Sequence, residues 1–134
     1  MEMPLKRTAA CSCGQLRLVC DGEPVRISMC HCLACQQRTG SVFGVQARFE
    51  DVKVAPQGKG AEYKRTADSG NQVTFHFCPL CGSTVWWQLA ALPGFTVVAV
   101  GAFADPAFSG PTVSMYGARR HGWVVVPGHV EALD

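Results

Sequence analysis

The chain has 134 residues, 48% of them hydrophobic and only 16% charged, with a net charge of +2. That length fits one domain over residues 1–134 with a core of its own, and the composition excludes a disordered chain. So small a charge argues against a nucleic-acid partner, since such proteins carry basic stripes or a pI above about 9, and the short run Arg119, Arg120, His121 reads as solvated surface.

The N-terminal stretch "MEMPLKRTAACSCG" has no apolar core segment of the kind a secretory signal needs. The first periodic segment, "QLRLVC", alternates as a strand, with Leu16, Leu18 and Cys20 on one face and Gln15, Arg17 and Val19 on the other. Strands are expected next at "VRISM" and, after a short break, at "SVFGVQARF". Between them "LACQQRTG" predicts a short helix, ended by Gly40 in the left-handed conformation. Further along, "QVTFHF" alternates with Val73, Phe75 and Phe77 on one face, and "STVWWQL", "FTVVAVG" and "PTVSMY" complete the expected strands. Gly and Pro punctuate them at "PQGKG", "LPG", "SGP" and "VPG". The fold class is mainly β. The most apolar run, "FTVVAVGAFA", covers ten residues, about half of the roughly 20 a membrane-spanning helix needs.

Eight cysteines in a chain of this kind point to metal or thiol chemistry in the reducing cytoplasm rather than to disulfides. Seven fall into three clusters: Cys11 with Cys13, Cys30 with Cys32 and Cys35, and Cys78 with Cys81. The hooks "CSCG" and "CPLCG" each end in glycine, which permits the positive φ that a metal knuckle often needs. Together Cys11, Cys13, Cys78 and Cys81 make the four ligands of a structural zinc. The alternative for Cys78 and Cys81, a redox pair, requires a thioredoxin-like helix after the first cysteine, and no such helix is expected here. Cys20 lies with Leu16 and Leu18 and reads as a buried, inert thiol.

The triplet Cys30, Cys32 and Cys35 has no cysteine left to complete it. Catalytic zinc keeps three protein ligands and one open position, whereas structural zinc takes four. His31 is the nearest candidate for a fourth ligand, but in an extended segment it points away from its two neighbours; His76 is restricted to a supporting role outside the ligand set. Cys35 sits in the first helical turn, which favours its thiolate. Zinc on three thiolates is a weak Lewis acid, better suited to a fourth thiolate than to making hydroxide. Around the motifs, Phe43, Trp86, Trp87 and Trp123 read as core, with one of Trp86 and Trp87 available to line a cleft because they face opposite sides. Ser41 is a candidate pocket residue and Arg38 a candidate anion contact.

The order "CSCG", "CHCLACQQRTGS", "FCPLCGSTVWW", "GAFADP" and a late "GW" resembles the glutathione-dependent formaldehyde-activating enzyme family, which includes centromere protein V. The resemblance implies a β-tent fold of coiled antiparallel sheets. It implies a structural zinc on Cys11, Cys13, Cys78 and Cys81 and a second, more labile zinc on Cys30, Cys32 and Cys35. The implied activity is carbon–sulfur bond chemistry, the condensation of glutathione with formaldehyde and its reversal, so the expected partner is a small thiol or thiol adduct. The competing readings are a non-catalytic zinc scaffold and a redox-sensing or zinc-delivery role for the triplet.

Overall fold

A computed structural model of the chain describes residues 5–133, so the expected domain over 1–134 extends past the described residues at both ends, and most of the expectation for the N-terminal stretch before Leu5 lies outside them. Among the described residues eleven strands are present: β1 (Lys6–Ala10), β2 (Arg17–Asp21), β3 (Arg26–Cys30), β4 (Gly44–Glu50), β5 (Val54–Gln57), β6 (Ala61–Thr66), β7 (Gln72–Phe77), β8 (Thr84–Leu89), β9 (Phe95–Ala99), β10 (Val113–Met115) and β11 (Glu131–Leu133). One α-helix, α1 (Leu33–Thr39), follows β3, and short 3-10 turns cover 51–53, 100–103 and 117–119. The strands form a three-stranded sheet ordered β1-β2-β5 and an eight-stranded sheet ordered β11-β10-β3-β4-β9-β8-β7-β6.

Alternation decides what each sheet face meets. Leu18 and Cys20 from the small sheet, with Leu16 just before β2, pack against Ile27, Ala47, Phe49, Val85, Trp86 and Val98 of the large one, forming the main core. Each large side chain buried there stabilises the fold by about 1.5–3 kcal/mol. Phe49, 1% exposed, is the largest fully buried side chain. The opposite face of the large sheet carries a smaller apolar cluster of Val73, Phe75, Trp87 and Val97. Trp86 and Trp87 therefore do separate, one into each cluster.

All seven strands expected from the sequence are present. "SVFGVQARF" becomes strand only from Gly44, and "FTVVAVG" stops at Ala99 before a 3-10 turn. α1 ends at Gly40, whose φ is 70° and whose N–H bonds to Gln36 O. The expected antiparallel pattern needs one correction, because β10 pairs in parallel with both β3 and β11. Trp123 is not core: it is 71% exposed. Phe43 is half-buried, with its ring 5.8 Å from that of His31. No described helix is long and apolar enough to cross a membrane.

Cys20 is fully buried and its thiol contacts Leu18 O at 3.7 Å. Burial pushes this thiol up to about 12, against a lowering influence from Arg7. An unfolded thiol titrates near about 8.5, so the native state holds this proton longer. Its stabilising contribution is full below about pH 8.5 and is lost as pH rises from there towards 12. In denaturant melts above about pH 8.5, the wild type should lose stability more steeply than Cys20→Ala; equal slopes would show that the thiol ionises as readily folded as unfolded.

Candidate functional site

Two sets of cysteines converge. In the first, the sulfurs of Cys11, Cys13, Cys78 and Cys81 all lie within 4.8 Å of one another. Cys11 follows β1 and Cys78 follows β7, so the set joins the small sheet to the large one. Gly14 and Gly82 close the hooks at φ 83° and 81°, with Gly14 N bonded to Cys11 O and Gly82 N to Cys78 O. The hooks are tied to each other by Ser12 and Ser83, whose hydroxyl oxygens are 3.0 Å apart.

A tetrahedron with Zn–S bonds of about 2.3 Å has edges of about 3.8 Å. The Cys11–Cys13 and Cys13–Cys78 sulfur separations, 3.6 and 3.7 Å, match those edges. Backbone N–H groups also point at the sulfurs, Leu16 N at Cys11 (3.3 Å) and Leu80 N at Cys78 (3.4 Å), as thiolate ligands require. The set fits a tetrahedral metal ion.

Gln15 is a participant that sequence reading did not single out. Its Nε2 donates to Cys78 Sγ at 3.0 Å and to Lys59 O at 2.7 Å, while its Oε1 accepts from Lys59 N at 2.9 Å. It lies on the polar side of an alternating segment and follows a knuckle glycine, which was the available signal.

The second set is Cys30, Cys32 and Cys35, again with sulfurs within 4.8 Å of one another. Cys30 ends β3, Cys32 caps α1 by accepting the Cys35 N–H at 3.3 Å, and Cys35 lies in the first turn. Thiol hydrogen bonds from Cys30 and Cys35 hold Cys32 well below the usual thiol range. The proton that Cys30 donates to Cys32 holds Cys30 above that range. Cys35 is held above the usual range: its hydrogen bond with Cys30 lowers it, but that with Cys32 and burial outweigh this, so the thiolate expected at Cys35 from its place in the first helical turn falls to Cys32 instead. The three donors fit a metal ion that leaves one coordination position free.

His31 does not join this set. It is fully buried, its Nε2 lies 3.0 Å from Ser114 Oγ, and burial followed by the charge of Arg120 pushes its pKa down from the usual histidine value. His76 joins neither set; it bonds Gln88 Oε1 at 2.7 Å and stacks on Trp86 with ring centroids 4.9 Å apart. All eight cysteines are free thiols.

A cavity of about 240 Å³ opens beside the three-cysteine set, with Cys30, Cys32 and Cys35 in its wall and Phe75, Trp87 and Val97 on its apolar side. None of the four cysteines of the first set reaches it. Arg38 projects from α1 into the cavity wall, its guanidinium 4.3 Å from the Trp87 ring centroid, and its buried Nη2 has no hydrogen-bond partner. The candidate anion contact is therefore placed at the cavity, and Trp87 is the cleft-lining member of the tryptophan pair. Ser41 is not: it is exposed and outside the cavity wall, its N–H bonded to Thr39 Oγ1.

The family model of the glutathione-dependent formaldehyde-activating enzymes matches residues 6–119, and the chain belongs to that family. In fold it is similar to a Rhodobacter sphaeroides protein of known crystal structure, with a TM-score of 0.56 at 19% identity over 71% of this chain and 85% of that one. No protein of curated function matches the chain.

Proposed function

We propose that the chain, as one domain over 1–134, is a zinc-dependent carbon–sulfur lyase or synthase acting on a small thiol adduct such as S-hydroxymethylglutathione. Cys11, Cys13, Cys78 and Cys81 would hold a structural zinc, and Cys30, Cys32 and Cys35 would hold a more labile one whose free position could take a substrate sulfur. The observation that carries this reading is the asymmetry of access: a small-molecule cavity adjoins the three-cysteine set and not the four-cysteine set. A scaffold has no use for an open site facing a cavity.

Zinc held by three thiolates supplies a position at which a fourth sulfur is kept deprotonated. The chain's own residues do the rest. Cys32 and Cys35, fixed by the cap of α1, and Cys30, fixed by the end of β3, set the three donor sulfurs without a rearrangement. Phe75, Trp87 and Val97 exclude water from one side, and the positive charge of Arg38 favours an anionic sulfur in the cavity. In the synthetic direction the thiolate sulfur bonds to the aldehyde carbon as the carbonyl π pair moves to oxygen. The proton released by the thiol ends on that oxygen, so no co-reactant is needed, and lysis reverses the step. Free thiols throughout accord with a cytoplasmic location.

With cobalt in place of zinc, a small thiol should change the sulfur-to-metal charge-transfer absorption of the wild type and leave a variant with serine at 30, 32 and 35 unchanged. The response should weaken as pH falls, because protons compete for sulfur. A spectrum indifferent to every thiol would mean a closed coordination sphere, and the scaffold reading would replace this one.

A further inference from the structure

The face of the large sheet that floors the cavity carries an electrostatic anomaly. Arg26 on β3 and Arg48 on β4 are direct register partners, and both side chains line the cavity. Like charges directly opposite each other across a ladder are destabilising. Neither arginine has a carboxylate to offset this, since among the described residues the ion pair found is Arg7 with Glu23. Burial and the facing Arg26 push the Arg48 guanidinium down. The one carboxylate in the cavity wall, Asp68, comes from the turn between β6 and β7, at the other end of the sheet order.

The direction of Arg26 is fixed. Its Nε donates to Ser28 Oγ at 3.1 Å and its Nη2 to Met115 Sδ at 3.4 Å. Met115 is the register partner of Cys30. The guanidinium therefore leans along β3 towards the three-cysteine set, which starts two residues beyond Ser28, roughly 7 Å at the rise of a strand. Beside Arg48, two residues earlier on β4, Gln46 lines the same cavity with a buried Oε1 that has no partner. Two uncompensated guanidinium groups thus border a space that ends at three thiols, while Gln46 Oε1, itself an acceptor, takes no part in holding an anion. A carboxylate fits two guanidinium groups through charge-assisted hydrogen bonds.

We propose that Arg26 and Arg48 form an oxyanion subsite that selects thiols carrying a carboxylate several bonds from the sulfur. The inference rests on the sulfur-binding role given above to Cys30, Cys32 and Cys35, and it assigns the part of the substrate remote from the reacting atoms. Anion binding here also removes the repulsion between the two arginines, so the ligand stabilises the fold as it binds.

The test uses the zinc-loaded full chain with 2-mercaptoethanol, 3-mercaptopropionate, succinate and inorganic phosphate as probes, on the wild type, Arg48→Met and Arg26→Met. For the wild type, 3-mercaptopropionate should bind with a Kd about tenfold lower than 2-mercaptoethanol. In either variant that advantage should fall below about twofold. Without ligand, Arg48→Met should melt roughly 1–4 °C higher than the wild type, a shift that a merely structural arginine would not give. Arg26→Met provides the same comparison if Arg48→Met does not fold. An undiminished carboxylate advantage in both variants, or no advantage in the wild type, overturns the subsite and leaves the thiol reading intact. Stabilisation by phosphate but by neither carboxylate overturns it in favour of a phosphate-bearing ligand. If no thiol binds, yet succinate raises the melting temperature of the wild type and not of the variants, the subsite stands and the thiol reading fails.

Discussion

Cys78→Ser should yield no folded protein, whereas Cys35→Ser should give a domain with a cooperative melting transition. Cys13 and Cys78 are separated by 65 residues, and their set ties the hook after β1 to the hook after β7. Structural zinc binding is worth about 10–16 kcal/mol in small zinc domains, as much as the whole stability of many proteins, and that free energy is folding free energy where the ligands come from distant segments. Cys78 is also fully buried, so a serine there leaves a polar group without its metal inside the main core. Cys30, Cys32 and Cys35 lie within one β3–α1 segment, and losing their metal unties nothing remote. Circular dichroism melts of the two purified variants check this; equal stability would reverse the structural and chemical labels.

Gly58→Ala should cost about 3 kcal/mol or more and loosen the structural metal. Gly58 has φ +89°, and a Cβ on it would stand 1.8 Å from the backbone oxygen of Gln15. That contact cannot be relieved by a rotamer change, so the Gln15 backbone must move. Its amide then loses the clasp on Lys59 and the hydrogen bond to Cys78 Sγ. Losing a partner of a metal ligand lowers metal affinity by about 10–100-fold. Chemical denaturation and the rate of zinc transfer to a chelator measure the two effects; a variant as stable and as retentive as the wild type would show that the β2–β5 end of the small sheet does not support the site.

The elements legible in the sequence were those whose one-sided burial imposes a period. Leu16, Leu18 and Cys20 alternate because β2 is the middle strand of the small sheet and turns one face into the core. β6 (Ala61–Thr66) escaped because it is the edge strand of the large sheet, largely exposed, and an edge needs no apolar alternation. β5 escaped because Pro56 interrupts it, which an edge strand tolerates. β1, with the sequence KRTAA, and the three-residue β11 carry no apolar alternation of their own. The parallel seat of β10 beside β3 depends on tertiary contacts alone, and Trp123 was misjudged because size and apolarity do not reveal which side of a loop faces water. The cysteine sets were legible because metal-ligand spacing is local within each cluster. The cavity was not, since Arg26, Arg48, Arg38 and Trp87 come from separate elements and meet only across the curled sheet.

The central claim is that one metal holds the fold together while the other serves chemistry at the cavity. Its most direct test is the count of bound zinc by native mass spectrometry on the wild type and on Cys32→Ser, both purified with zinc present. Two zinc ions in the wild type and one in a folded Cys32→Ser are the predicted result. A wild type that holds one zinc, or a Cys32→Ser variant that retains two or loses both, would contradict the division.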